Sequence, residues 1–179
     1  MREAVGVIEL SSIARGIDVS DQILKVSNAQ LVKASTVCPG KYIVIIGGST
    51  SDVETSMKKG MQAAGEYYVD SLLIPNIHSQ LIPAIGLTNP VESLKAIGVM
   101  EFYSVTSGIR AADIAAKAAN VTLIEVKIGY AIGGKGVVLL TGDVEAVKTA
   151  VAAATAEIEL LLSTTVIARP SEKILQTLL

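Results

Sequence analysis

The sequence predicts an α/β (α+β) protein made of two tandem copies of one βαββαβ unit. Two observations indicate this class: the chain repeats itself at a nearly constant offset, and each copy alternates strand-like apolar runs with helical patterns in the same order. Half of the residues are hydrophobic and 18% are charged, a balance that excludes disorder and allows a large buried core. A length of 179 residues is sufficient for two small domains.

The repeat is visible as identities with constant spacing. Ala4–Glu9 returns as Ala96–Glu101, an offset of 92 residues. The same offset aligns a second set of residues with its counterparts: Asp21, Lys25 and Asn28 with Asp113, Lys117 and Asn120. Further along, Gly40-Lys41 matches Gly134-Lys135 at an offset of 94. The second copy therefore has two extra residues, in the stretch that corresponds to the loop around Cys38.

Periodicity and turn residues place the elements of the first copy. The predicted strands are 4–10, 31–37, 42–46 and 69–74, and the predicted helices are 20–28, 51–67 and 79–85. Ser20 is expected to cap the first helix. Ser51, followed three residues later by Glu54, has the pattern of a capping box. Pro39-Gly40 predicts a turn between the two central strands.

The second copy repeats this order, and ferredoxin-like units in tandem are the simplest architecture that fits. Its predicted strands are 96–103, 121–130, 136–141 and 163–168, and its predicted helices are 107–120, 144–160 and 171–178. Asn89-Pro90 is a turn-forming pair between the copies. We therefore predict domains at 1–90 and 91–179.

Composition excludes several functional classes. The formal charge of −2 provides no electrostatic footprint for nucleic acid or an anionic membrane surface. The apolar runs are too short, or too interrupted by charges, to span a bilayer. The single cysteine fits a reducing, cytoplasmic environment. No catalytic triad, metal-binding His/Cys spacing or Walker loop is recognisable, so we do not expect an enzyme. High apolar content with few charges favours an oligomer.

Cys38 is the main candidate for chemistry. A free cysteine is most often a small buried hydrophobe. Two features favour a different role: Cys38 directly precedes the Pro39-Gly40 turn, and the second copy has Ile132 at the aligned position, so the shared fold does not require sulfur there. One thiol cannot build a metal site alone, whereas several chains around a symmetry axis could each supply one ligand.

Other candidates are weaker. Lys25 and Lys117 fit either a solvated helix face or an edge presented twice to neighbouring subunits. Gly133–Gly136 looks like a phosphate loop only superficially, because a strand follows it and not a helix. His78 has no partner carboxylate in its motif, and we assign it no chemistry.

The chain resembles bacterial microcompartment shell proteins over nearly its whole length. The resemblance is carried by the repeated strand and helix motifs, the Pro39-Gly40-Lys41 turn and Ile167–Pro170. Within that family, Val37–Lys41 and Ile74–His78 are similar to the iron-sulfur-carrying tandem-domain class of propanediol-utilisation compartments. Ala168 departs from the family's Pro-Arg-Pro segment, and Asn76 stands in the first copy where the second has Arg169, which leaves the edge contacts there open.

The resemblance implies a homotrimer of double domains: a pseudo-hexameric tile with a central pore, assembled with other shell proteins into a microcompartment shell. The implied pore loop is Val37, Cys38, Pro39 and Gly40. The implied tile-edge residues are Lys25, Asn28, Lys117, Asn120 and Arg169. Cys38 from three chains would hold one 4Fe-4S cluster per trimer, which would transfer electrons across the shell, with a redox enzyme inside as partner.

Two alternatives stay open at this stage. In the first alternative, the chain forms a metal-free tile in which Cys38 narrows a metabolite pore. In the second, it is a discrete small redox carrier with an accessible thiol and never forms a tile. The residues alone do not identify the compartment or its cargo.

Overall fold

A computed structural model of the chain describes residues 3–86, 89–91, 94–171 and 173–174. It divides into two compact units, the first formed by residues 1–77 with 129–134 and the second by residues 78–128 with 135–179. The division after residue 77 precedes the predicted boundary near Asn89-Pro90, because the short helix that follows the first copy packs on elements of the second unit.

The first unit has the predicted βαββαβ order. Its elements are β1 (Glu3–Leu10), α1 (Ile13–Leu24), β2 (Gln30–Val37), β3 (Lys41–Ser49), α2 (Thr50–Ala64), a 3-10 turn (Gly65–Tyr67) and β4 (Tyr68–Ile74). All strand pairs are antiparallel, in the order β2-β3-β1-β4. This is the order of a ferredoxin-like sheet, and α1 and α2 pack together with α2 on β1.

The second unit repeats this arrangement. Its elements are α3 (Leu81–Ile85), β5 (Ala96–Phe102), α4 (Val105–Ala118), β6 (Val121–Ile128), β7 (Gly136–Gly142), α5 (Val144–Glu157) and β8 (Leu161–Ala168). The strand order is β6-β7-β5-β8, again antiparallel. The predicted fold class is therefore confirmed. The predicted helix 171–178 falls largely outside the described residues.

The core of the first unit lies where its helices pack on the sheet. Ala4, Ile8 and Leu10 on β1 form a cluster with Val19 and Ile23 of α1. Burial of these apolar side chains drives the packing of the helices on the sheet.

A glycine in the middle of β1 allows α2 to approach the sheet. A Cβ added at Gly6 would lie 2.7 Å from Met57 Sδ and 2.9 Å from Val53 Cγ1. Gly98 on β5 has the same role, since its Cβ would lie 2.9 Å from Val147 of α5. The glycine of the repeated strand motif is thus explained by helix-sheet packing in both copies.

Two predicted N-cap residues were wrong. Helix α1 begins after Ser12, whose side chain accepts a hydrogen bond from the Arg15 amide. Ser20 lies inside the helix, where its hydroxyl donates to the Gly16 carbonyl at 2.7 Å. Helix α2 begins after Ser49, two residues before Ser51. In both helices the N-cap is a serine that precedes the predicted one in the sequence.

The strand registers confirm the two-residue insertion. Ala34 pairs with Val44, and Val126 pairs with Val138. The strands before the loop therefore match at an offset of 92 and the strands after it at 94. Among the described residues, no helix is long and apolar enough to cross a membrane.

Candidate functional site at the Cys38 turn

Cys38 lies at the tip of the β2-β3 hairpin. Val37 and Lys41 form the last residue pair of the two strands, so the turn consists of residues 38–40. The Gly40 amide donates to the Val37 carbonyl at 3.0 Å, and Gly40 has φ +89°, a conformation that glycine adopts without steric cost. The strand pair and the turn hydrogen bond thus define the backbone conformation at Cys38.

The predicted pore-loop residues differ in exposure. Val37 is 3% exposed and belongs to the core, whereas Cys38 is half-buried and Pro39 and Gly40 are exposed. The Cys38–Pro39 peptide bond is cis. A buried anchor therefore precedes a partly accessible thiol.

The loop 129–134, which belongs to the same compact unit, contacts the Cys38 backbone. The Cys38 amide donates to the Gly129 carbonyl at 3.1 Å, and the Gly134 amide donates to the same oxygen at 3.3 Å. The turn that holds the thiol is therefore supported by a hydrogen bond to a residue outside its own hairpin.

A charged pair lies directly after the turn. Lys41, the first residue of β3, forms an ion pair with Glu9 on β1. In the second unit the equivalent Lys135 and Glu101 are 2.8 Å apart, Nζ to Oε1. Each pair ties the start of one central strand to its neighbour.

The metal donors of one chain are few. Among the described residues, no three His, Cys, Asp or Glu side chains come together as a possible metal site. Cys38 is a free thiol and the single cysteine of the sequence. Iron-sulfur clusters usually take four cysteine thiolates. The donor set of this chain consequently fits such a cluster only as one ligand among several supplied by other chains.

The predicted edge lysines lie at the C-terminal ends of equivalent helices. Lys25, the C-cap residue of α1, forms an exposed ion pair with Asp21. Lys117, in the last turn of α4, forms the same pair with Asp113, whose side chain is only 5% exposed. The Asn28 amide donates to Asp52 Oδ1 at 3.1 Å.

Asn120 and Arg169 are also exposed. Asn120 lines a cavity of about 390 Å³ in the second unit, together with Lys95 and Asp143 among others. The Arg169 amide donates to the Lys95 carbonyl. The structure thus exposes every predicted edge residue, and their roles at a tile edge stay predictions.

Sequence reasoning missed the residues that join the segment around α3 to the rest of the second unit. The His78 amide donates to Asp113 Oδ1 at 2.7 Å. The Gln80 side chain accepts from the Leu123 amide at 2.7 Å and donates to the Val121 carbonyl at 3.2 Å. No local pattern signals such contacts, because the partners are more than thirty residues apart in the sequence.

Comparison with known proteins matches both units to one family. The BMC domain model covers residues 4–77 and 96–170. The bacterial microcompartment shell protein PduT of Citrobacter freundii is 42% identical over 175 residues, covering 96% of this chain and 95% of that protein.

Solved structures agree. A microcompartments protein from Desulfitobacterium hafniense superposes with a TM-score of 0.93 at 41% identity, covering 98% of this chain and 99% of that one. The fused permuted hexameric shell protein MSM0275 of the RMM microcompartment shares the fold, with a TM-score of 0.61 at 21% identity over 86% of this chain and 82% of its own. The chain therefore belongs to the BMC-domain family, and it is a structural shell protein of bacterial microcompartments with two such domains in tandem.

Proposed function

We propose that three copies of this chain form one shell tile, and that Cys38 of each copy binds a single 4Fe-4S cluster at the central pore. The observation that carries the proposal is the position of the thiol: it is half-buried at the tip of a tightly bonded hairpin turn. A thiolate that serves as a shared ligand needs this combination of a defined backbone and an accessible sulfur.

The domain count and symmetry support three copies. Each chain has two BMC domains, so three chains supply six, the number expected of a pseudo-hexameric tile. Three symmetry-related chains would each supply one equivalent thiolate from Cys38. Because Cys38 is the single cysteine of the sequence and such clusters usually take four cysteine ligands, a further ligand would be a group other than a cysteine of this chain.

The residues of the turn have separate roles in this proposal. Val37 anchors the end of β2 in the core, Cys38 supplies the thiolate, and Gly40 closes the turn with its positive φ. When bound, the cluster supplies reversible one-electron transfer. The electron would come from a reduced redox enzyme inside the compartment and go to an oxidised acceptor outside.

The predicted edge residues would face the other shell proteins. Lys25 and Lys117 are exposed at equivalent helix positions, which supports a surface that presents the same ammonium group twice per chain. A lysine stem at such an edge packs along a neighbour while its ammonium reaches a carbonyl.

Anaerobic purification followed by native mass measurement and iron and sulfide analysis tests the proposal. We expect a trimeric mass with about four irons and four sulfides for every three chains, and sulfur-to-iron absorption in the visible range. Cys38→Ser is expected to stay trimeric and lose the iron and the colour. Thr36→Ser, on the exposed part of the same strand, is the matched control and should keep both.

The outcomes separate the alternatives. A trimeric mass without iron would contradict the cluster and support a metal-free tile with a metabolite pore. A monomer or dimer in solution, together with discrete particles instead of sheets in electron micrographs, would overturn the tile itself and favour a small redox carrier.

A further inference from the structure

The loop 129–134 has an unusual backbone. Four of its six residues have positive φ: Gly129 (+71°), Ala131 (+57°), Gly133 (+69°) and Gly134 (+78°). An alanine in this region is strained, and glycine is the residue that adopts it freely. A loop of this kind persists only where surrounding contacts fix it.

The contacts that hold the loop 129–134 in this conformation include the backbone of Cys38. The Gly129 carbonyl accepts hydrogen bonds from both Cys38 and Gly134, so one oxygen joins the two loops. A Cβ added at Gly134 would lie 2.4 Å from the Cys38 carbonyl oxygen. Only a residue without a side chain allows the two backbones to come this close.

We propose that the loop 129–134 is a positioning element for Cys38, and that Gly134 is the residue that permits it. The role of Cys38 as a ligand rests on the proposed function, whereas the contact with its backbone does not. The inference also accounts for the two-residue insertion of the second copy, because that insertion falls in the loop that holds the cysteine turn of the first.

The chain offers a matched pair of variants. Gly133 and Gly134 are adjacent and have similar positive φ, so alanine adds similar backbone strain at each. A Cβ at Gly133 meets no atom within 4 Å, whereas a Cβ at Gly134 meets the Cys38 carbonyl. The difference between the effects of Gly134→Ala and Gly133→Ala therefore reports the contact with Cys38, because the backbone strain is common to both variants.

The measurement is the rate of Cys38 alkylation by iodoacetamide in the reduced, chelator-treated full-length protein. We expect Gly134→Ala to react about threefold or more faster than Gly133→Ala, because a displaced Cys38 backbone loses its bond to Gly129 and exposes the thiol. After iron and sulfide reconstitution, Gly134→Ala is expected to retain less than about half of the iron retained by Gly133→Ala.

A second pair covers the case in which Gly134→Ala does not fold, as judged by circular dichroism and native mass. Gly134→Asn and Gly133→Asn repeat the comparison with a residue that tolerates positive φ better than alanine. Equal alkylation rates in both members of the folded pair would overturn the inference. Unequal rates in a protein whose wild type takes up no iron would support the positioning role and refute the cluster, so the two failures are distinguishable.

Discussion

Glu9 and Glu101 occupy equivalent strand positions, yet the environments of their ion pairs differ. The Glu9 side chain is 3% exposed and its partner Lys41 is 26% exposed. The second pair is more open, at 31% for Glu101 and 35% for Lys135. A buried carboxylate depends on its partner for compensation, whereas solvent screens a partly exposed one.

The first prediction compares the loss of the two lysines. Lys41→Met leaves a buried carboxyl without its counter-charge and should lower the free energy of unfolding by about 3 kcal/mol. Lys135→Met should lower it by about 1 kcal/mol or less. Urea unfolding at neutral pH, followed by circular dichroism, measures both.

Removal of both charges serves as the control. Glu9→Gln combined with Lys41→Met leaves no uncompensated charge, so the double variant should recover part of the stability that Lys41→Met loses. Equal losses in Lys41→Met and Lys135→Met would show that burial of Glu9 does not determine the effect.

At the scale of elements, the start of α2 is tied to the segment after α1. The Ser49 side chain accepts from the Asp52 amide, and the Ser27 hydroxyl donates to the Asp52 carbonyl at 3.0 Å. The Asp52 carboxylate accepts from the Ser49 hydroxyl and the Asn28 amide. These bonds, that of Ser49 first, hold the pKa of Asp52 below its ordinary value.

The second prediction concerns the pH dependence of stability. A carboxyl with a lowered pKa in the folded state stabilises the protein above its unfolded pKa, near 3.8, and this contribution is lost as the pH falls through the folded value. Asp52→Asn should therefore be less stable than wild type at about pH 6, with the difference shrinking toward about pH 3. Urea midpoints across that range test it.

Glu54→Gln, an exposed carboxyl on the same helix, is the control and should follow the wild-type profile closely. Parallel profiles for wild type and Asp52→Asn would mean that Asp52 titrates alike in the folded and unfolded protein.

The elements show which sequence signals suffice. The repeated Ala-x-Gly-x-x-Glu strand and the Pro39-Gly40 turn were placed correctly, because alternation and turn residues are local signals. The starts of α1 and α2 were displaced, because Ser12 and Ser20, or Ser49 and Ser51, are equally good caps by type. The structure has Ser12 and Ser49 as the N-caps, with extended backbones and side chains that accept hydrogen bonds from the Arg15 and Asp52 amides.

At the candidate site, too, the local features were predictable from the sequence and the contact between distant residues was not. The hairpin tip with its cysteine follows from local sequence, and so does the insertion in the second copy. The contact of Gly134 with Cys38 joins residues nearly a hundred positions apart, and no periodicity encodes it.

At the scale of the whole molecule, the segment after the first copy completes the second. Leu81 and Ala84 of α3 are fully buried, and α3 packs on β6 and α4. The Gln80 side chain bonds to the backbone of β6, and Asn89 Nδ2 donates to the Leu123 carbonyl at 2.9 Å. Backbone groups of a strand that would otherwise lie at a sheet edge are thereby satisfied.

The third prediction follows from this arrangement and tests the predicted boundary at residue 90. A fragment of residues 78–179 retains α3 and Gln80, whereas a fragment of residues 91–179 leaves the β6 backbone and its apolar neighbours exposed. The longer fragment should melt at least about 5 °C higher, since about 1 kcal/mol shifts the Tm of a domain of this size by 4–8 °C. Both fragments contain the loop 129–134, so its effect cancels. Gln80→Ala in the longer fragment should remove part of the difference, and equal melting temperatures for the two fragments would place the boundary at residue 90 after all.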